Sequence, residues 1–106
     1  MLIYKTTKWK KKRAMILRRD KYKSVLAARY GKSIEAEVVH HILPVEFFPE
    51  YAFCNWNLIS VSIDEHNKLH DRSSHRLTDA GIELAIRTAR KQRLNIDKIK
   101  ERLDES

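Results

Sequence analysis

Two adjacent histidines, His40 and His41, stand inside the apolar run VVHHILP at residues 38–44. Burying two imidazoles side by side in a β-prone segment costs free energy unless each has a partner. One such histidine is ordinarily a hydrogen-bonded core residue. Two in succession favour a partner elsewhere in the chain.

A second histidine pair, His66 and His70, lies four residues apart in SIDEHNKLH. Ser62 followed by Glu65 is a capping-box pattern, which predicts a helix that begins at Ile63 with both imidazoles on one face. Such a pair can bind one metal ion, and a histidine from a neighbouring strand would complete an open three-histidine site. The ion would act as a Lewis acid on phosphate, and a remaining histidine would remove a proton from water. The alternative interpretation of the helix pair is a solvated helix face.

The elements that must position these histidines are predicted from hydrophobic periodicity and capping signals. The chain up to residue 61 is predicted to contain a helix at 8–19 with Thr7 as N-cap, a helix at 25–30 between Ser24 and Gly31, and strands at 37–43 and 58–61 joined by an aromatic loop. The helix from Ile63 follows, and then an amphipathic helix after Thr78 whose apolar residues are Ile82, Ala85, Ile86 and Ala89. A last helical piece after Asn95 has Ile96, Ile99 and Leu103 on one side. A lone hairpin is marginal in water, so the helices must cover it.

Length and composition limit what else the chain can be. It has 106 residues, 42% of them hydrophobic, which fits one small folded domain. The single cysteine, Cys54, excludes an internal disulfide and a cysteine-based zinc site, so histidine and carboxylate must bind any metal. No run of 18 apolar residues occurs, and the start MLIYKTTKWKKKR is unlike a secretory signal, so we expect a cytoplasmic protein without a membrane partner.

The net charge of +8 predicts a polyanionic partner, with nucleic acid first and an anionic membrane surface second. A merely solubilising charge is the alternative, but the basic residues cluster. Those between positions 8 and 23 are Lys8, Lys10, Lys11, Lys12, Arg13, Arg18, Arg19, Lys21 and Lys23.

The span VVHHILP…NWNLISV…DEHNKLH resembles the motif of the HNH endonucleases, which have the ββα-metal fold. In that motif a histidine pair ends the first strand, an asparagine opens the second, and a histidine lies on the helix. The resemblance extends over residues 8–80 and is greatest to short phage-type HNH proteins. It implies an α+β fold with a small ββα-metal core, in which a two-stranded antiparallel hairpin packs on a short helix between N- and C-terminal helices. We expect one domain, with a basic helical part at 1–34, the core at 35–72 and a C-terminal helix at 73–106.

The resemblance implies a metal-dependent endonuclease that hydrolyses DNA phosphodiester bonds. It makes His41 the general base that activates water, and His40 and His66 metal ligands. His70 becomes a third ligand if the spacing HxxxH acts as in the DNase colicins, where both helix histidines bind the metal.

An asparagine is expected to hold the long loop and so orient His41. The family pattern assigns this role to Asn57, nine residues before His66. Asn55 is a rival for the role, and a simple turn residue is the alternative interpretation of Asn57.

One departure from the family pattern concerns a structural zinc. Many HNH proteins carry two CxxC pairs around this core, and none is present here. We expect apolar side chains to replace that ion, with stacking on nucleobases as the alternative role. The candidates are Trp9, Phe47, Phe48, Tyr51, Phe53 and Trp56.

One divalent metal ion is expected at the histidines. Three imidazoles suit zinc, nickel, cobalt or manganese, whereas a site without His70 would hold more water and accept magnesium or manganese. We expect phosphate contacts from Lys68, Arg72 and Arg76 together with the basic residues at 8–19. His75 lies outside the motif and is expected to be a surface residue without a role in the site.

Three functions are compatible with these observations. The first is the DNA endonuclease, by analogy beside a phage DNA-packaging complex. The second is a non-catalytic nucleic-acid-binding module with a structural histidine-bound metal, and the third is a basic partner- or membrane-surface-binding protein. The sequence leaves open whether one strand or both are cut, whether RNA is a substrate, and the oligomeric state.

Overall fold

The computed structural model describes residues 2–71, 73–74 and 76–104 of the chain. Its helices and strands are α1 Thr7–Arg19, α2 Val25–Ala28, β1 Val38–His41, β2 Leu58–Val61, α3 Ile63–Leu69, α4 Asp79–Lys91 and α5 Ile96–Asp104, with short 3₁₀ turns at Leu2–Lys5, Pro49–Tyr51 and Asn55–Asn57. The predicted α+β class with a two-stranded antiparallel hairpin is confirmed. Within the described ranges, no helix is long and apolar enough to cross a membrane.

Side-chain caps explain where the first two helices begin. Thr6, not the predicted Thr7, is the N-cap of α1, because its hydroxyl accepts a hydrogen bond from the Trp9 N–H at 3.1 Å. Ser24 caps α2 as predicted, at 3.0 Å from the Ala27 N–H. The predicted extension of α2 to residue 30 is wrong, since regular helix ends at Ala28.

The hairpin aligns His40 with Ile59 and His41 with Leu58. Neighbouring side chains on a strand point to opposite faces, so the two histidines serve different faces of the hairpin. Strand β1 is shorter than the predicted 37–43, because the N–H of Leu43 bonds to the Asn57 side chain at 2.7 Å instead of continuing the ladder.

Helices cover both faces of the hairpin. Helix α1 packs Trp9, Ile16 and Leu17 against Val39 and Leu58. The opposite face of the hairpin packs into a second buried cluster, which also contains residues of the loop, α3, α4 and α5. Its members are Ile42, Leu43, Phe48, Ile59, Val61, Leu69, Leu84, Ala85, Ala89 and Ile99. These two clusters remove the exposed face that would make a lone hairpin marginal.

Helix α4 buries a slightly different face from the one predicted. Ala85 and Ala89 are buried as expected, whereas Ile82 is 38% exposed and Leu84 lies in the core instead. The helix begins close to the end of α3: a Cβ at Gly81 would lie 2.3 Å from the Leu69 carbonyl oxygen. Glycine at this position therefore permits the approach that fixes the end of α3.

Candidate metal centre

Three histidines meet between β1 and the end of α3. His40, His66 and His70 each offer a ring nitrogen, and these nitrogens all lie within 4.8 Å of one another. Their ring centroids are 5.1–5.4 Å apart. Two imidazoles on one ion are separated by at most two metal–nitrogen bonds, about 4.2 Å in total, so small ring rotations would close the site around an ion.

His40 is the residue whose environment fits a metal ligand most closely. It is 0% exposed, and neither ring nitrogen has a hydrogen-bond partner among the described residues. Burial, followed by the neighbouring charges of His70 and His66, lowers the pKa of His40 well below its ordinary value. The ring is therefore neutral at pH 7, which is the form that binds a metal. Burying an imidazole whose nitrogens have no partner destabilises the fold, unless a bound metal ion takes the place of the missing partner.

His70 does not lie on the helix as predicted. Helix α3 ends at Leu69, and His70 is its C-cap residue with extended backbone angles, φ −122° and ψ 137°. Thr78 explains the early end, because its hydroxyl bonds to the Lys68 carbonyl at 2.5 Å and its N–H to the Leu69 carbonyl at 2.9 Å. The His70 ring nevertheless reaches the cluster, since its centroid lies 5.2 Å from that of His40.

His41 faces α1 and has a defined tautomer. Its Nε2 lies 3.0 Å from the carbonyl oxygen of Ala52. A carbonyl only accepts, so Nε2 carries the proton and Nδ1 is the unprotonated nitrogen with the basic lone pair. The ring stacks on Trp9 with centroids 4.8 Å apart and an interplanar angle of 23°. Burial lowers the pKa of His41, partly offset by the Ala52 hydrogen bond. His41 is thus a neutral imidazole of fixed orientation at pH 7.

Asn57 ties the aromatic loop to the end of β1. Its side-chain oxygen accepts from the Leu43 N–H at 2.7 Å, and its amide group donates to the carbonyls of Leu43 and Tyr51, both at 3.1 Å. Tyr51 directly precedes Ala52, whose carbonyl holds His41. The rival Asn55 is exposed and accepts a hydrogen bond from Lys12 on the surface.

Replacing Asn57 by alanine should destabilise the protein by about 3 kcal/mol, because the buried N–H of Leu43 and two carbonyls lose their partner. Urea unfolding of the metal-free protein measures this. Asn55→Ala is the matched control, with an expected change of about 0.5 kcal/mol or less. Equal effects of the two substitutions would contradict the assignment of the loop-holding role to Asn57.

The free energy of unfolding of the metal-free protein should fall as the pH decreases from 6.5. Burial lowers the pKa of His40, His41 and His66 in the folded protein, whereas in the unfolded chain they titrate near 6.5. The unfolded state therefore binds more protons below pH 6.5, and each group contributes a slope of up to about 1.4 kcal/mol per pH unit. Urea unfolding at pH 8 and pH 5.5 measures the loss. Equal stability at both values would contradict burial of these rings in the neutral form.

Most basic residues of α1 are exposed, and some of them also bond to other parts of the fold. Those exposed are Lys8, Lys10, Lys11, Arg13, Arg18 and Arg19, and Arg13 donates to the Glu37 carbonyl at 2.7 Å. Arg19, predicted to contact nucleic acid, is committed to the fold: it bonds to the Asp20 carboxylate and to the carbonyls of Asn55 and Leu58. Lys12 bonds to the Asn55 side chain. We therefore leave Arg19 out of the expected phosphate contacts.

Lys68 on α3 and Arg76 after it are both exposed. Arg72 and His75 lie outside the described residues. The aromatic residues proposed to replace a structural zinc pack in the core: Trp9 and Phe48 are buried, and Phe47, Tyr51, Phe53 and Trp56 are partly buried against the two clusters.

Two residues at His41 were not predicted from the sequence. The Ala52 carbonyl fixes Nε2, and the hydroxyl of Tyr4 lies 3.5 Å from Nδ1. No sequence signal identifies a backbone carbonyl as a partner. Tyr4 has no pattern that links it to a histidine 37 positions away.

Comparison with known proteins gives one informative match. No family model and no curated protein matches the sequence. A similar solved structure is the crystal structure of the HNH endonuclease of the deep-sea thermophilic bacteriophage GVE2 with manganese ion. The match has 26% sequence identity and a TM-score of 0.59, and it covers 60% of this chain and 70% of that chain. The resemblance to the HNH endonucleases that the motif predicted is thereby confirmed.

Proposed function

From this HNH-type fold and its histidine cluster, we propose that the protein is a metal-dependent endonuclease that hydrolyses phosphodiester bonds of DNA. The observation that carries the proposal is the contrast between two neighbouring histidines. His40 is buried and unpartnered beside two other imidazoles, whereas His41 has its Nε2–H bonded to a carbonyl and an unprotonated Nδ1. One residue is suited to hold an ion and the next to take a proton.

The proposed ligands are His40, His66 and His70. A divalent cation held there would supply Lewis-acid stabilisation of a phosphate oxygen. Manganese is the first ion to test, because the similar phage structure contains it.

His41 is the proposed general base. Its Nδ1 takes a proton from the water that attacks phosphorus, while Nε2–H stays on the Ala52 carbonyl and keeps the ring oriented. The bond between phosphorus and the leaving oxygen breaks, and that oxygen takes a proton from solvent. Asn57 acts through the loop that carries Ala52, so it is a positioning residue.

The free edge of β1 is the proposed seat of the scissile phosphate. His40 and His41 point to opposite faces of β1, and among the described residues β1 pairs only with β2. A phosphate at the unpaired edge of β1 could be reached by the His40 side from one face and by the His41 side from the other.

DNA as the substrate is supported by the charge of the chain and by exposed basic side chains near the site. The net charge is +8, and Lys8 lies 4.2 Å from the ring centre of Phe53, next to Ala52 in the loop. Contacts from these side chains to phosphates would be independent of sequence and weaken with salt.

A plasmid assay with a series of metals tests the proposal. Chelator-stripped protein receives manganese, nickel, zinc or magnesium in turn, and conversion of supercoiled to open-circle or linear DNA is followed on a gel. We expect cleavage with at least one ion and none with chelator. DNA binding without cleavage under every ion would contradict the nuclease proposal and indicate a non-catalytic nucleic-acid-binding module.

A further inference from the structure

The catalytic nitrogen of His41 is covered by a residue from the start of the chain. The hydroxyl of Tyr4 lies 3.5 Å from Nδ1, the ring nitrogen that carries no proton. Tyr4 belongs to the 3₁₀ turn Leu2–Lys5, which precedes the N-cap of α1.

His41 is enclosed on three sides. Trp9 stacks on its ring, the Ala52 carbonyl holds Nε2, and Tyr4 stands at Nδ1, which leaves the residue 5% exposed. An attacking water must come within about 2.6–3.2 Å of the base nitrogen. The single in-plane lone pair of Nδ1 cannot accept from the phenol and from that water at once.

The direction of this hydrogen bond follows from the tautomer. Neutral Nδ1 has no proton, so the Tyr4 hydroxyl is the donor. Burial, followed by the Glu46 carboxylate, raises the pKa of Tyr4, so the phenol keeps its proton at neutral pH.

Tyr4 is also the partner that can move. Its side chain is held by edge contacts with Trp9 and His41, at ring-centroid distances of 5.4 and 6.0 Å, and the residue is 44% exposed. His41, in contrast, is fixed by its carbonyl bond and by stacking.

We infer that Tyr4 is a gate on the general base: its hydroxyl occupies the lone pair of Nδ1 in the free protein and swings away when the attacking water enters. This inference rests on the proposed function. Removing the hydroxyl should therefore expose Nδ1 and speed cleavage, by roughly two- to tenfold, the equilibrium weight of one neutral hydrogen bond.

Chemical labelling tests the contact without any nuclease activity. Diethyl pyrocarbonate acylates an unprotonated imidazole nitrogen, and mass spectrometry of the peptide that contains His41 gives the rate at constant pH. We expect faster acylation of His41 in Tyr4→Phe and Tyr4→Ala than in wild type. Tyr30→Phe is the matched control, because Tyr30 is 79% exposed, and it should leave the rate unchanged. An unchanged rate in both Tyr4 variants would overturn the gate.

Single-turnover nicking with manganese tests the consequence. Faster nicking by Tyr4→Phe than by wild type and Tyr30→Phe supports the gate. Slower nicking by Tyr4→Phe would overturn it, because the phenol would then participate in proton transfer instead of blocking it. If labelling responds to Tyr4 but wild type cuts nothing, the failure lies with the proposed function and the contact at Nδ1 stands.

Discussion

His41→Ala should lower the metal-dependent nicking rate by roughly 10²- to 10⁴-fold, the usual contribution of a general base. The residue is placed to take a proton: Nε2 is fixed on the Ala52 carbonyl at 3.0 Å, so Nδ1 is left with the lone pair. Burial lowers the pKa of His41 and keeps it unprotonated at neutral pH. Single-turnover nicking of supercoiled plasmid at saturating metal measures the loss.

Two controls separate loss of the base from loss of the site. His41 is not one of the three clustered histidines, so His41→Ala should bind manganese as wild type does. His41→Gln retains a donor for the Ala52 carbonyl but has no basic nitrogen, so it should be as slow as the alanine variant. Cleavage by His41→Ala within about threefold of wild type would contradict its role as the base.

His40→Leu should abolish metal-dependent cleavage and weaken metal binding by more than about 100-fold, because removal of even an outer-shell partner costs 10- to 100-fold. The metal-free variant should be no less stable than wild type. His40 is fully buried with two unpartnered ring nitrogens, and an apolar side chain of similar size removes that desolvation cost.

Urea unfolding with and without manganese measures both effects. Metal at 100 times the wild-type dissociation constant should stabilise wild type by about 2.7 kcal/mol and His40→Leu by about 0.4 kcal/mol or less. The matched control is Val39→Leu. Val39 directly precedes His40 and its side chain lies on the opposite face of β1, so this variant should keep the response to metal. A His40→Leu protein that gains as much stability from manganese as wild type would contradict the ligand assignment.

Local signals in the sequence predict much of this fold. The capping box of Ser62 and Glu65 starts α3 at Ile63, and Thr78 caps α4 at 3.2 Å from the Gly81 N–H. Strand β2 also has the predicted bounds, 58–61. These elements are set by residues close in sequence, which is why periodicity and capping rules identify them.

The differences come from contacts between distant residues. The end of β1 depends on Asn57, and the end of α3 depends on Thr78, which takes the carbonyls that would have continued the helix. His70 therefore lies beyond the helix to which its spacing assigned it. Capping rules at one end of a helix do not reveal a tertiary hydrogen bond at the other.

The candidate site likewise contains residues that the sequence identifies and others that depend on contacts between distant parts of the chain. The spacing HH…HxxxH and the family resemblance identified His40, His66 and His70, which the fold brings together. They did not identify Tyr4 or the Ala52 carbonyl at His41, nor the use of Arg19 within the fold. Those contacts depend on how the loop and the first turn pass over β1.

The most direct measurement is a manganese titration of chelator-stripped protein in which bound metal and plasmid nicking are followed on the same samples. The cleavage rate should rise in proportion to bound manganese and level off at one ion per chain, with His40→Leu at the baseline. Full occupancy of the site without cleavage, or cleavage that persists after the metal is removed, would contradict a metal-dependent nuclease built on these three histidines.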